Sequence, residues 1–245
     1  ANWMDVKDTN YDVVILPWGA IEPHNYHLPY ITDCYLSQNV ALESSVEAYE
    51  RSGVLCGVMP PIFLGSQNPG QWSNPFCIHT SSETQKSILN DIILSLRGQG
   101  LRKLVIVNGH GGNSFKLFFR DFAFKYPDFV IVLVDWWTVI PSGSYFEPKP
   151  DEHAGELETS VLMYYRPDLV SLEIAGDGFA KKTRLESVNN KTGWLPRHWG
   201  EVTEDTGIGN PHKATAEKGE RFAKDVVSKI ADLIIELKDY EVNKS

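Results

Sequence analysis

The chain has 245 residues, and 42% of them are hydrophobic, which is enough for a sizeable core. Lys and Arg number 23 against 32 Asp and Glu, and the formal net charge of −9 argues against the basic surface that nucleic-acid binding needs. The apolar stretches fall well short of the ~20 residues of a membrane-spanning helix. Neither a nucleic acid nor a membrane is therefore an expected partner.

The cysteines indicate a reducing environment. Cys34, Cys56 and Cys77 form an odd set without paired spacing, which is typical of free thiols in a cytosolic protein. A signal peptide has a basic segment followed by an apolar segment, and the first residues of this chain show neither. We therefore expect a cytoplasmic protein with a single domain over residues 1–245.

Short apolar runs rich in Val and Ile predict the strands. They cover residues 12–17, 54–59, 103–107 and 129–134. Continuous runs of this kind are typical of strands buried on both faces of a parallel sheet.

Helical spacing predicts a helix after each of the first three strands and another at the C-terminus. The first passes through Leu36 and Val40 and stops before Gly53. The others and their inward residues follow: a capping box at 82–85 with Ile88, Ile92 and Leu96; residues 114–126 with Leu117, Phe118 and Phe122; and about 215–237 with Phe222, Val226, Ile230, Leu233, Ile234 and Leu237. The alternation predicts an α/β fold, a three-layer sandwich around a mostly parallel sheet.

The first strand runs directly into a segment that carries Glu22, His24 and Asp33. Residues two apart in extended chain point to the same side, so Glu22 and His24 can converge. A carboxylate, an imidazole and a second carboxylate suit a divalent metal. A polar loop with an incidental histidine is the alternative interpretation.

A second histidine lies at the carboxyl end of the third strand. Asn108-Gly-His110-Gly-Gly-Asn113 makes a tight glycine-rich turn into a helix, which leaves His110 projecting at the sheet edge where α/β proteins place reactive groups. A third segment places His153 just ahead of a helix that begins near Glu156 and Glu158. Carboxylates are common at helix starts, so these two carry less information than His153 does.

These segments together resemble the creatininase (creatinine amidohydrolase) family. The similar segments are Leu16-Pro-Trp-Gly-Ala-Ile-Glu22-Pro-His24 with Thr32-Asp33, Val107-Asn-Gly-His110-Gly-Gly-Asn113, His153-Ala-Gly-Glu-Leu-Glu158-Thr-Ser160, and residues 207–211 with 214–219. The resemblance implies a creatininase-like fold, a homo-oligomer, and a hydrolase of a small cyclic amide or formamide that uses a metal-activated water. It also implies one or two divalent metals per chain, Zn²⁺ first and Mn²⁺ or Fe²⁺ next.

The resemblance implies that Glu22, His24, Asp33 and His110 match the family's metal ligands, with Asp33 at the position that bridges two metals. It also implies that His153 matches a residue that moves protons near the substrate. Gly111 and Gly112 stand where creatininase has a Tyr and a metal-binding Glu. Either one metal site is weaker or Glu158 supplies the carboxylate, with Glu156 as the other candidate. This change puts creatinine in doubt as the substrate.

Two further features have open roles. Trp136 and Trp137 follow the fourth strand and either stack on a flat substrate or pack in the core. Residues 171–212 form a long, weakly periodic segment that either covers a site or contacts another subunit. A catalytically silent protein that binds a small molecule on the same scaffold is the competing functional hypothesis.

Overall fold

The computed structural model describes residues 1–147 and 151–241. Its strands are β1 (Val13–Trp18), β2 (Cys56–Val58), β3 (Lys103–Asn108) and β4 (Val130–Asp135). Its helices are α1 (Trp3–Val6), α2 (Thr32–Ser52), α3 (Ser82–Gly98), α4 (Lys116–Lys125), α5 (Glu156–Tyr165), α6 (Glu186–Asn189), α7 (Trp199–Val202) and α8 (Ala216–Asp239). Short 3-10 turns lie at Gln71–Ser73, Trp136–Thr138, Ser142–Ser144, Pro167–Leu169, Leu172–Ile174 and Pro211–Lys213.

The four strands form one parallel sheet in the order β2-β1-β3-β4. Alternate residues of each strand face opposite layers of helices, so the sheet is buried on both sides. Val13, Ile15, Val105 and Val107 pack with α2, α5 and α8. Strand residues of the other face, among them Leu16, pack with α3 and α4. The predicted α/β fold with three layers is confirmed.

Local signals end the helices where the sequence predicts. Gly53 follows α2 in the left-handed region, at φ 72°, and its N–H donates to Tyr49 O. The long helix α8 buries Phe222, Val226 and Ile230 as predicted, while Leu233 is only partly buried. No helix within the described ranges has both the length and the apolar character needed to cross a bilayer.

Two of the three residues predicted on the inner face of α3, Ile88 and Ile92, are wrong by one position, whereas Leu96 is buried as predicted. Its N-cap is Ser81, whose hydroxyl accepts from Thr84 N, so no capping box forms at 82–85. Gln85 instead turns inward and donates to Leu64 O and Asn113 Oδ1. The buried face consequently runs through Gln85, Leu89, Ile93 and Leu96, while Ile88 and Ile92 lie at its margin.

Leu117 is also placed wrongly by the sequence pattern. The helix α4 begins at Lys116, and its N-cap residue Phe115 is fully buried. Phe118 and Phe122 share the buried side with it, as predicted. Leu117 therefore points outward and is 65% exposed.

Candidate metal centre

The carboxyl ends of β1 and β3 bring the first two polar segments together. Trp18 and Asn108 pair at the end of the two central strands, so the segments that follow them leave the sheet at one edge. Four of the predicted ligand residues meet there and are almost completely buried: Glu22, His24, Asp33 and His110. These four side chains thus meet at the carboxyl edge of the sheet, where the rule for α/β proteins predicts reactive groups.

Two glycines allow the segments to approach each other closely. A Cβ atom on Gly109 would lie 2.3 Å from Asp33 O, at the start of α2. A Cβ atom on Gly112 would lie 2.0 Å from Ser66 O and 2.5 Å from His110 Nε2. A side chain at either position is therefore excluded without backbone movement.

Asp33 lies at the centre of the cluster. Its Oδ1 is 2.9 Å from His24 Nε2, and its Oδ2 is 3.1 Å from His110 Nδ1. Glu22 Oε1 lies 2.8 Å from the same His110 nitrogen. The ligand atoms form three candidate triads among the described residues. Two share Asp33, one with Glu22 and His110 and the other with His24 and Glu158, and the third joins Glu22, His24 and His153.

Each histidine of the cluster is oriented by a backbone carbonyl. His24 Nδ1 donates to Glu22 O (3.0 Å), and His110 Nε2 donates to Ser66 O (2.9 Å). His153 Nε2 donates to Pro23 O (2.9 Å). Since a carbonyl oxygen only accepts, the proton of each neutral imidazole lies on that nitrogen, and the other nitrogen presents its lone pair to the cluster.

The carboxylates packed around His24 and His110 shift the pKa values of both histidines. Burial opposes the charged form of His24, but the carboxylates of Asp33, Glu158 and Glu22 together outweigh it and raise the pKa of His24 to about 10. Burial also opposes the charged form of His110, and the negative charges of Glu22 and Asp33 raise its pKa well above 6.5. Without a cation, protons on these imidazoles balance the carboxylates.

Glu158 joins the cluster and Glu156 does not. Glu158 Oε2 accepts from Ala154 N at 2.5 Å, and burial raises the pKa of its carboxyl group. Glu156 pairs instead with Lys218 Nζ at 2.5 Å and accepts from Glu147 N at 3.1 Å. Of the two carboxylates that the sequence left open, only Glu158 is placed to contact a metal.

Comparison with known proteins identifies the family to which the chain belongs. Residues 1–234 match the family described as creatininase, creatinine amidohydrolase. The chain belongs to the creatininase family. Members of this family are metal-dependent amidohydrolases that act on small amides, and the chain is a metal-dependent amide hydrolase.

Its similar proteins include several hydrolases. The creatinine amidohydrolase of Pseudomonas putida is 32% identical over 180 residues, which cover 66% of this chain and 67% of that protein. The mycofactocin precursor peptide peptidase of Mycolicibacterium smegmatis (strain ATCC 700084 / mc(2)155) is 28% identical over 225 residues, which cover 91% of this chain and 84% of that one.

Solved structures that are similar to this chain support the same family assignment. A Bacteroides fragilis NCTC 9343 protein, provisionally named a creatinine amidohydrolase, is 53% identical, with a TM-score of 0.97 over 100% of this chain and 96% of that one. A mutant creatininase in complex with creatine is 27% identical, with a TM-score of 0.78 over 98% of this chain and 97% of that one. Similar creatininase structures include a Zn–Zn form and a Mn form.

In this creatininase-family chain, the cluster lies at the base of a cleft of about 630 Å³. Trp137 lines the cleft, whereas Trp136 is fully buried and packs against Phe222 in the core. The segment 171–212 contributes a wall that includes Trp194, Arg197 and Trp199. The ring of Trp199 lies edge-on to His153 with centroids 5.5 Å apart.

Sequence reasoning missed the segment that follows β2. Gln71 Nε2 donates to Glu22 Oε2 at 2.5 Å, and Ser66 O orients His110. Residues 60–75 of this segment contain no histidine, cysteine or carboxylate to attract attention. Its position at the carboxyl end of a strand of the same sheet is the one signal that points to it.

Proposed function

We propose that this protein hydrolyses a small cyclic amide or formamide at a centre that would hold two divalent cations through Glu22, His24, Asp33, His110 and Glu158, with Asp33 common to two of the ligand groups. The observation that carries the proposal is the orientation of the imidazoles. His24 and His110 each donate one N–H to a backbone carbonyl and turn the other nitrogen toward carboxylates. Backbone partners of this kind fix the tautomer of metal-binding histidines.

The donor set fits two divalent cations. Asp33 Oδ2 is buried 3.1 Å from His110 Nδ1, and a cation that displaces the proton of this nitrogen would find both atoms available as ligands. Three carboxylates, from Glu22, Asp33 and Glu158, supply negative charge for two such ions. Nitrogen and oxygen donors without thiolate suit Zn²⁺ first, and Mn²⁺ or Fe²⁺ next.

His153 is proposed to move a proton during the reaction. A divalent cation in such a site supplies Lewis acidity toward a carbonyl and, for Zn²⁺, lowers the pKa of water from ~15.7 to about 7. His153 Nε2 is tied to Pro23 O, so its Nδ1, 3.7 Å from Glu22 Oε1, is free to carry a proton to the departing nitrogen. Trp199 packs against this ring and limits access of water from that side.

The cleft favours a small substrate without a net negative charge. Among the described residues that line it, Arg197 is the one Lys or Arg, and its guanidinium pairs with Glu152 at 2.8 Å. Apart from histidines, the remaining ionisable side chains that line it are carboxylates. Trp137 and Trp194 offer flat faces to a planar amide ring.

Elemental analysis with an amide screen tests the proposal. Protein purified without added metal or chelator is analysed for Zn, Mn, Fe and Co. Ring opening of cyclic amides is followed by chromatography and mass, and hydrolysis of N-formyl compounds is followed by formate release. We expect about two equivalents of metal, lost in Asp33→Ala and kept in the exposed control Asp91→Ala. Binding of these compounds without hydrolysis by the metal-loaded protein would favour the silent binding protein instead.

The role of His153 has its own test. His153→Ala should lower kcat by about 10²- to 10⁴-fold at unchanged metal content. The arrangement also allows His153 to act as a ligand, because its Nδ1 groups with Glu22 and His24. Loss of metal in this variant would assign it that role.

A homo-oligomeric assembly, a cytoplasmic location and a single domain over residues 1–245 remain proposals that rest on the sequence.

A further inference from the structure

Gln67 is a buried glutamine in the wall of the cleft whose carboxamide lacks a partner. It is 5% exposed, and neither its Oε1 nor its Nε2 forms a hydrogen bond within the described part of the chain. Two other buried glutamines nearby are paired. Gln71 donates to Glu22, and Gln85 donates to Leu64 O and Asn113 Oδ1.

The backbone around Gln67 is held in place beside the metal centre. Its N–H donates to His79 Nδ1 at 3.0 Å. The preceding residue, Ser66, accepts through its carbonyl oxygen from His110 Nε2 at 2.9 Å. The backbone of Gln67 is therefore held in a fixed position close to one of the proposed ligands.

A buried carboxamide without partners destabilises a fold unless a water or a ligand satisfies it. An amide side chain offers an acceptor and a donor next to each other. The complementary ligand edge has an N–H and a C=O side by side, as a carboxamide, a lactam or a ureide does. A carboxylate does not fit, because it lacks the donor and would face the carboxylates of the cleft.

We propose that Gln67 is a specificity-determining residue that binds a neutral amide edge of the substrate, next to the bond that is cut. Oε1 accepts the substrate N–H, and Nε2 donates to the substrate C=O. This inference rests on the proposed function and narrows its substrate class to small amides that carry a second amide-like group.

Thermal unfolding of the metal-loaded protein tests whether the carboxamide has a structural role. Gln67→Met is close to isosteric and removes an unpaired polar group, so the Tm should rise by about 2–4 °C. Gln85→Met removes a paired amide and should lower the Tm by a similar amount. A lower Tm for Gln67→Met would show that an internal water or a protein group already satisfies Gln67, and would overturn the proposal.

Two neutral probes test the ligand. N-formylglycinamide has a carboxamide edge, and N-formylglycine methyl ester has the same formyl group and a C=O but no second N–H donor. Wild-type protein should prefer the amide in kcat/KM, measured by formate release. Gln67→Met should reduce this preference by about 10-fold at unchanged metal content, which is the loss expected for the one hydrogen bond, from the second N–H to Oε1, that distinguishes the two probes. Gln99→Met, an exposed residue at the end of α3, is the matched control and should keep the preference.

Ligand-induced shifts in Tm separate this inference from the proposed function. A wild-type protein that is stabilised by the amide probe but not by the ester, and cuts neither, contradicts hydrolysis of formamides and supports the role of Gln67. Equal stabilisation by both probes, or by neither, overturns the role of Gln67.

Discussion

Gln71 Nε2 lies 2.5 Å from Glu22 Oε2, so one carboxylate oxygen of Glu22 is occupied and the other, Oε1, faces His110. Gln71 is held in turn by Asn68, whose N–H donates to Gln71 Oε1 at 2.8 Å. A residue from the segment after β2 thus fixes the orientation of a proposed ligand from the segment after β1.

Removal of this contact should weaken metal binding. Gln71→Met keeps the side-chain length but frees Glu22 to rotate, and we expect a loss of about 10- to 100-fold in metal affinity. Competition with a chromogenic chelator measures it. Gln99→Met should bind metal like the wild type. Wild-type affinity in Gln71→Met would show that the contact does not orient Glu22.

Metal binding should release protons at neutral pH. In the metal-free site, the pKa of His24 is raised to about 10 and the pKa of His110 is raised well above 6.5. Each imidazole therefore favours the charged form, with a proton on both ring nitrogens. A cation must displace one proton from each, and the apparent affinity should therefore fall as the pH falls. Titration calorimetry in two buffers of different ionisation enthalpy should give about two protons released for two metals. Buffer-independent heats would contradict this.

The space next to Gly112 should not accept a side chain. A Cβ atom there would lie 2.0 Å from Ser66 O, so Gly112→Ala must displace Ser66 and His110. We expect reduced metal content and a loss of about 1–3 kcal/mol in the free energy of unfolding. Gly111→Ala is the matched control, because a Cβ atom at Gly111 meets nothing within 4 Å. Similar behaviour of the two variants, by elemental analysis and urea unfolding, would contradict the clash.

The two glutamates of α5 should respond in opposite ways to substitution. Glu158→Gln removes a proposed ligand and should lower metal content without a large loss of stability in the metal-free protein. Glu156→Gln weakens the pair with Lys218 and should keep the metal but unfold at lower urea concentration. Elemental analysis and urea unfolding of metal-free protein separate the roles. Metal loss in Glu156→Gln alone would reverse the assignment.

Much of the fold follows from local sequence patterns. The Val- and Ile-rich runs predicted all four strands to within two residues at each end, because continuous apolar runs suit strands buried on both faces. The burial of individual helix positions was less predictable. The predictions for Leu117 and for the inner face of α3 were wrong because contacts outside a helix decide which of its residues turn inward. Phe115 is fully buried beside α4, and Gln85 of α3 donates to Leu64 O.

The sequence by itself placed Glu22, His24 and His110 after the carboxyl ends of strands, and the family resemblance implied that they and Asp33 form one metal centre. Only the tertiary structure decided that Glu158 joins them and that Glu156 pairs with Lys218. It also decided which imidazole nitrogens face the cluster. The carbonyl that orients His110 comes from Ser66, 44 residues away in the chain, and no local pattern records a contact of that kind.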